Sequence, residues 1–165
     1  VAAAPVPARP SALFVGLGGG TSLHVLRERQ RPRSLTVIER DDVILRAAQQ
    51  WFGLDTVPGV EYLTGDAEVV ARWLVAARRR FDFVLEDATY AEPFERSLPL
   101  AQSLTALVSP RGVLVLNRHR RGDAHRLAAT LRPHFKAVRL RRVRREAENV
   151  LIVCSQAIDE FVDLA

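Results

Sequence analysis

From Ala12 onward, short apolar runs alternate with longer segments whose apolar residues recur every three or four positions. Ala12–Val15 reads as a buried strand running into Gly16-Leu17-Gly18-Gly19-Gly20, and Thr21–Arg29 as a helix with Leu23 and Leu26 on one side, broken by Pro32. Leu35–Ile38 is a second strand, ending at Glu39. Asp41 or Asp42 caps the next helix, which is expected to turn Val43, Ile44, Ala47 and Trp51 inward and to stop at Gly53. Val60–Leu63 is a third strand. Ala67–Arg79 follows as a helix with Val70, Trp73, Leu74 and Ala77 as its apolar face. Phe81–Leu85 is a fourth strand and Phe94–Val108 a helix, with Pro99 near its first turns. Ser109-Pro110-Arg111-Gly112 then turns the chain into a fifth strand, Val113–Leu116. Asp123–Leu131 closes the helices before Pro133. Ala137–Val143 and Asn149–Cys154, joined by a short charged turn, are expected to pair antiparallel.

Five strand–helix alternations call for a parallel sheet covered by helices on both faces, because right-handed crossovers place them there. The fold class expected is therefore α/β, a doubly wound, mostly parallel seven-stranded sheet of Rossmann-like type with a C-terminal antiparallel hairpin. Residues 1–11 read as a flexible Ala/Pro-rich leader and residues 12–165 as one domain. The leader has no charged stretch followed by an apolar core, so it does not read as a signal peptide.

Composition narrows this little. A chain of 165 residues, 48% hydrophobic and 26% charged, is sized for one globular domain. No apolar run approaches the ~20 residues of a membrane span. A single cysteine, Cys154, excludes an internal disulfide and a cysteine-based zinc site; it lies in an apolar run and reads as a buried, inert thiol. It suits a reducing cytoplasm, and no metal is expected. Of 24 basic residues only Lys136 is lysine, and the net charge is +5. The runs Arg78–Arg80, Arg118–Arg121 and Arg139–Arg145 are candidates for a phosphate-binding face, but no aromatic residues interleave with them as stacking platforms, which argues for a solvated basic surface rather than a nucleic-acid site.

In open sheets of this kind, ligands sit beyond the carboxyl ends of the strands. Four loops fall there. The glycine cluster Gly16–Gly20 permits a sharp turn and a close backbone approach to a nucleotide, although a tight structural turn needs glycines too. It has neither the GxGxxG spacing nor a following Gly-Lys-Ser/Thr. Glu39 is placed to accept hydrogen bonds from both ribose hydroxyls, or is a capping carboxylate. Asp66 in Gly65-Asp66-Ala67 is placed to meet an adenine amino group, to cap the next helix, or to do both. The acids Glu86 and Asp87 stand at the tip of the fourth strand, where a carboxylate faces the reacting end of a ligand and aligns or deprotonates a nucleophile.

Together these loops resemble the class I S-adenosylmethionine-dependent methyltransferase fold and, within it, the spermidine synthase family of aminopropyltransferases. The resemblance covers about Ala12–Gln156. It rests on Leu13–Gly20, on Val37-Ile38-Glu39-Arg40-Asp41-Asp42-Val43-Ile44, on Thr64–Ala67, on Asp82–Asp87 and on Val108–Leu114, in that order. It implies a cofactor set of Gly16, Gly18, Gly19, Gly20, Glu39, Arg40, Asp66 and Ala67, with Glu39 on the ribose and Asp66 and Ala67 on the adenine. It implies Asp87 as the catalytic acid orienting an attacking amine, with Asp87 and Tyr90 toward that substrate. The cofactor implied is S-adenosylmethionine or decarboxylated S-adenosylmethionine, and the reaction moves an aminopropyl group to an amine acceptor.

The chain departs from that pattern in three places. Gly19 stands where the family carries an Asp for the donor's propylamine. Tyr90 stands where it carries a second acid for a diamine. The family's N-terminal β-domain has no counterpart before Ala12. The acid that ordinary methyltransferases carry just before the glycine loop is also absent, since Leu13, Phe14 and Val15 occupy that stretch. The expectation is thus a spermidine-synthase-like transferase, cytoplasmic and homodimeric. Its alternatives are a methyltransferase and a non-catalytic adenosyl-ligand-binding domain.

Overall fold

The computed structural model describes residues 6–119, 122–142 and 148–157. Seven strands form one sheet in the order β3-β2-β1-β4-β5-β7-β6. They are β1 (Ser11–Val15), β2 (Ser34–Glu39), β3 (Val60–Thr64), β4 (Phe81–Glu86), β5 (Val108–His119), β6 (Ala137–Arg142) and β7 (Asn149–Ser155). Strands β1 to β5 pair in parallel, while β7 runs antiparallel to both β5 and β6. Five helices connect them: α1 (Thr21–Gln30), α2 (Asp42–Trp51), α3 (Ala67–Ala76), α4 (Phe94–Leu107) and α5 (Ala124–Leu131). The doubly wound sheet and its closing hairpin are those the sequence predicts; the turn between β6 and β7 lies outside the described residues.

Side-chain alternation along the strands divides the core in two. Leu13, Val15, Val84, Leu114, Leu116, Ile152 and Cys154 pack with Ala71 and Leu74 of α3, Leu100 and Leu104 of α4, and Leu127 and Leu131 of α5. Ala12, Phe14, Phe83, Leu85, Val113, Val115, Leu151 and Val153 pack with Leu23 and Leu26 of α1, Ala48 of α2 and Leu54. The sheet is therefore covered on both faces, as the near-continuous apolar runs of its strands require.

Three expectations need correction. Helix α2 buries Ala48, while Val43, Ile44 and Trp51 are exposed, Trp51 to 74%. Helix α3 buries Ala71 and Leu74, and Trp73 stands 59% exposed, with Ala77 beyond the helix and exposed too. Both helices flank the β2–β3 edge, where β3 is itself only half-buried, so the large side chains on their outer halves find no sheet beneath them. Finally, Ser109–Gly112 is not a turn before the fifth strand but an excursion inside it. Phe81 pairs with Val108 and Phe83 with Val113, and the intervening residues loop out of the ladder. Gly112 is needed in this excursion, because a Cβ there would stand 2.9 Å from the Phe81 carbonyl oxygen. The strand then runs past Leu116 to His119.

Candidate functional site

At the carboxyl ends of β1, β2, β3 and β4 lies a cleft of about 780 Å³, lined among others by Gly16, Gly18, Glu39, Arg40, Asp66, Ala67 and Asp87. That volume is in the range of small-molecule sites. Its floor is set by backbone. The Gly16 N–H donates to the Ile38 carbonyl (2.9 Å), and the Asp87 N–H to the Val15 carbonyl (2.8 Å). Gly16 has φ +83°, and a Cβ on it would come within 3.0 Å of the Ala88 nitrogen, so only glycine lets the β1 and β4 loops close together here. At Gly18 (φ +53°) a Cβ would meet nothing within 4 Å, which marks the open side of the loop.

Glu39 ties this loop to β2. Its Oε2 accepts the Leu17 N–H (2.9 Å) and its Oε1 the Asp41 N–H (3.0 Å). Each oxygen retains a second lone pair for a ligand hydroxyl. Asp66 caps α3, accepting the Glu68 and Val69 N–H groups at 3.0 and 3.1 Å; both bonds fall on Oδ1 and leave Oδ2 for a second partner. The capping and ligand-facing readings of both carboxylates are thus compatible in one geometry.

The two acids at the tip of β4 part company. Glu86 is fully buried, and its Oε1 accepts from Ala88 N–H (2.9 Å), Thr89 N–H (2.7 Å) and Thr89 Oγ1 (3.0 Å), so it folds the following loop back on the strand. Its Oε2 pairs with Arg118 Nη1 at 2.7 Å, and Arg118 is itself 4% exposed. Burial pushes the Glu86 carboxyl above the usual carboxylate range, opposed by Arg118 and by the Thr89 and Ala88 donors. Asp87, one residue on and on the opposite face, is exposed in the cleft. Asn117 Nδ2 donates to Asp87 Oδ1 at 2.8 Å, and Asn149 Nδ2 donates to Asn117 Oδ1 at 3.0 Å. This chain of amides fixes the carboxylate while leaving Oδ2 for a substrate N–H.

The predicted residues do not all meet. Gly16, Gly18, Glu39, Arg40, Asp66, Ala67 and Asp87 share the cleft, whereas Gly19 and Gly20 are not among its lining residues. A Cβ on Gly19 would pack on the Phe52 ring at 3.6 Å, and one on Gly20 (φ +73°) would collide with Leu54 at 2.8 Å. Tyr90 lines a neighbouring chamber and stacks edge-on to His119, ring centroids 5.5 Å apart. The roles of Asn117 and Asn149, of Glu86 as a staple and of Arg118 as its partner are not legible in the sequence. The apolar pattern carries no signal for them, since the run ends at Leu116 and β5 continues through the polar residues Asn117-Arg118-His119. Arg118 belonged to a run read as solvated basic surface; it is buried instead, while Arg120 and Arg121 and Val143–Arg145 lie outside the described residues. Among the described residues, no group of three or more His, Cys, Asp or Glu is arranged to hold a metal ion, and no helix is long and apolar enough to cross a membrane.

No protein-family model matches the chain. Over 156 residues, 87% of the chain, it is 30% identical to the eEF1A lysine and N-terminal methyltransferase of Danio rerio, covering 23% of that protein. Over 108 residues, 64% of the chain, it is 31% identical to the polyamine aminopropyltransferase of Vibrio vulnificus (strain CMCP6), covering 36% of it. The chain thus spans well under half the length of either relative. Human methyltransferase-like protein 13 in complex with SAH superposes with a TM-score of 0.77 at 21% identity, over 93% of this chain and 75% of that one. The fold is that of class I S-adenosylmethionine-dependent methyltransferases. Methyltransferases and an aminopropyltransferase both stand among the similar proteins, so the spermidine synthase likeness expected from sequence holds at the level of this fold.

Proposed function

We propose that this domain binds S-adenosylmethionine in the 780 Å³ cleft and directs its methyl group to an amine nitrogen beside Asp87. The observation that carries this reading is the pairing of an open glycine cradle and the Glu39 and Asp66 carboxylates with one fixed, solvent-reachable acid, Asp87, at the reacting end. The residues fit the cofactor: Gly18 leaves room for its chain, Glu39 keeps free lone pairs for ribose hydroxyls, and Asp66 Oδ2 is available to an adenine amino group. When bound, the sulfonium supplies an electrophilic methyl carbon and a neutral thioether leaving group. Everything else falls to the chain. Asp87, oriented by Asn117, accepts a hydrogen bond from the amine, points the nitrogen lone pair toward the donor and takes up or relays the proton the amine gives up.

Methyl transfer is favoured over aminopropyl transfer by two features. Gly19 offers no carboxylate to a propylammonium, and a side chain there would point at the Phe52 ring; Tyr90 lines the adjoining chamber rather than supplying a second acid to a diamine. The Danio rerio relative is named a methyltransferase, which supports the same choice. Mass spectrometry of reactions with S-adenosylmethionine or its decarboxylated form and a panel of amines separates the two. Methylated amine from the first donor is expected, and Asp87→Asn should lower its formation by roughly 10²-fold or more with S-adenosylhomocysteine affinity within about threefold of wild type. Aminopropylated product from the decarboxylated donor alone would return the domain to polyamine chemistry. Full turnover by Asp87→Asn would remove Asp87 from the reaction.

A further inference from the structure

Beside the cleft, and sharing Glu92 with it, is a chamber of about 300 Å³ between the loop after β4, the end of β5 and the first turns of α4 and α5. Its walls include Tyr90, Glu92, Ser97, Arg118, His119 and Asp123. Most of its polar groups are engaged. Asp123 Oδ2 accepts the Phe94 N–H at 2.8 Å, Ser97 Oγ donates to the Phe94 carbonyl at 3.2 Å, and the His119 ring meets Glu148 at 3.2 Å.

Arg118 is the exception. Its Nη1 faces Glu86 Oε2 at 2.7 Å and donates to the Asn117 carbonyl at 3.2 Å. Its Nε and Nη2 are buried and have no hydrogen-bond partner among the described residues; the only other such side-chain atom is Glu86 Oε2 itself, already in the ion pair. A buried N–H without an acceptor is costly to leave unmade, so two on one guanidinium form a strong demand for a ligand. Nε and Nη2 lie on the same edge of the guanidinium, where two parallel N–H groups match the two oxygens of a carboxylate.

We propose that this chamber is a carboxylate subsite of the acceptor. Arg118 grips the carboxylate through its Nε–Nη2 edge, and the acceptor's amine extends past Glu92 toward the cleft. The substrate class is then a small amino acid-like zwitterion, an amine bearing a carboxylate a few carbons away, rather than a diamine. Glu86 is the fixed counter-charge that holds Arg118 in place. The exposed Glu92, shared by both cavities, favours the ammonium end on the cleft side. This inference rests on the reading that the cleft holds the donor, and S-adenosylhomocysteine binding reports on that reading separately.

The test uses matched probes on the whole chain: 4-aminobutanoate, its neutral amide 4-aminobutanamide, and butylamine. Nitrogen-15 NMR follows the Arg118 Nε–H during titration of the wild-type protein with S-adenosylhomocysteine present. A saturable shift of that resonance with 4-aminobutanoate, at least about tenfold tighter than with the amide and absent with butylamine, is the expected result. Arg118→Lys keeps a cation for Glu86 but removes the two-pronged edge; it should weaken 4-aminobutanoate about tenfold while S-adenosylhomocysteine binds as before. Equal affinity for acid and amide overturns the proposal, as does an Arg118 signal unmoved by 4-aminobutanoate. If Arg118→Lys does not fold, the wild-type titration decides alone. Loss of S-adenosylhomocysteine binding by the wild-type protein would instead sink the donor reading, whatever the Arg118 signal does.

Discussion

Single residues in this chain do two things at once, and that is why some were legible and others were not. Glu39 and Asp66 stand at strand ends that the apolar pattern marks, so their positions follow from sequence, and the structure adds that each also satisfies local backbone donors. Asn117 and Asn149 carry no such mark. Their amides matter only because β5 and β7 pair antiparallel, with Asn117 opposite Leu151 and His119 opposite Asn149, which brings both beside the tip of β4. Glu86 and Arg118 are 32 residues apart and meet only through the β4–β5 register that sets Glu86 opposite Leu116. Cys154 is a simpler case. Burial pushes its thiol up to about 12, so little thiolate forms in the folded protein at ordinary pH. At pH 8, Ellman's reagent should label almost no thiol in the native protein and one per chain in denaturant; rapid native labelling would show that β7 opens.

At the scale of elements, the strands carry their own evidence and the helices carry less. Buried parallel strands announce themselves as continuous apolar runs, whereas α2 and α3 show several large apolar residues and only their place over the sheet decides which are covered. Ala48 and Ala71 are chosen over Trp51 and Trp73 because the helix–sheet contact is close and the β3 edge is narrow.

The Ser109–Gly112 excursion also has a purpose visible only between elements. Burial alone would raise the Asp82 carboxyl, but it lies below the usual carboxylate range, held there by hydrogen bonds from the Ser11 backbone, Ser109 and the Ser11 hydroxyl, with Arg33 at 2.8 Å. One side chain thereby ties β1, β4 and the looped-out part of β5. A depressed folded-state value means that the stabilisation is present above the unfolded value near 4 and is lost as pH falls through the lower, folded one. Asp82→Asn is therefore expected to lose about 1–2 kcal/mol in urea unfolding at pH 7, with the deficit shrinking below pH 4. A deficit independent of pH would assign the effect to packing. Glu86→Ala strands Arg118 in the interior and should cost about 3–5 kcal/mol by the same measurement; a loss under 1 kcal/mol would mean that solvent reaches the guanidinium.

Over the whole molecule, the order 3-2-1-4-5-7-6 gathers four loops from distant stretches of sequence onto one edge of the sheet. Strand–helix alternation predicted such an edge, and the acids at the strand tips predicted much of what lines it. The chamber around Arg118 leaves no mark in the sequence, since it exists only where the loops after β4 and β5 meet α4 and α5. The cleft itself is the central claim, and isothermal titration calorimetry with S-adenosylhomocysteine addresses it directly. One site per chain is expected, weakened about 10- to 100-fold in Glu39→Ala through loss of charge-assisted hydrogen bonds to the ribose, at unchanged helix content by circular dichroism. Absence of binding to the wild-type protein, or equal affinity in Glu39→Ala, would contradict an adenosyl site at the ends of β1 and β2.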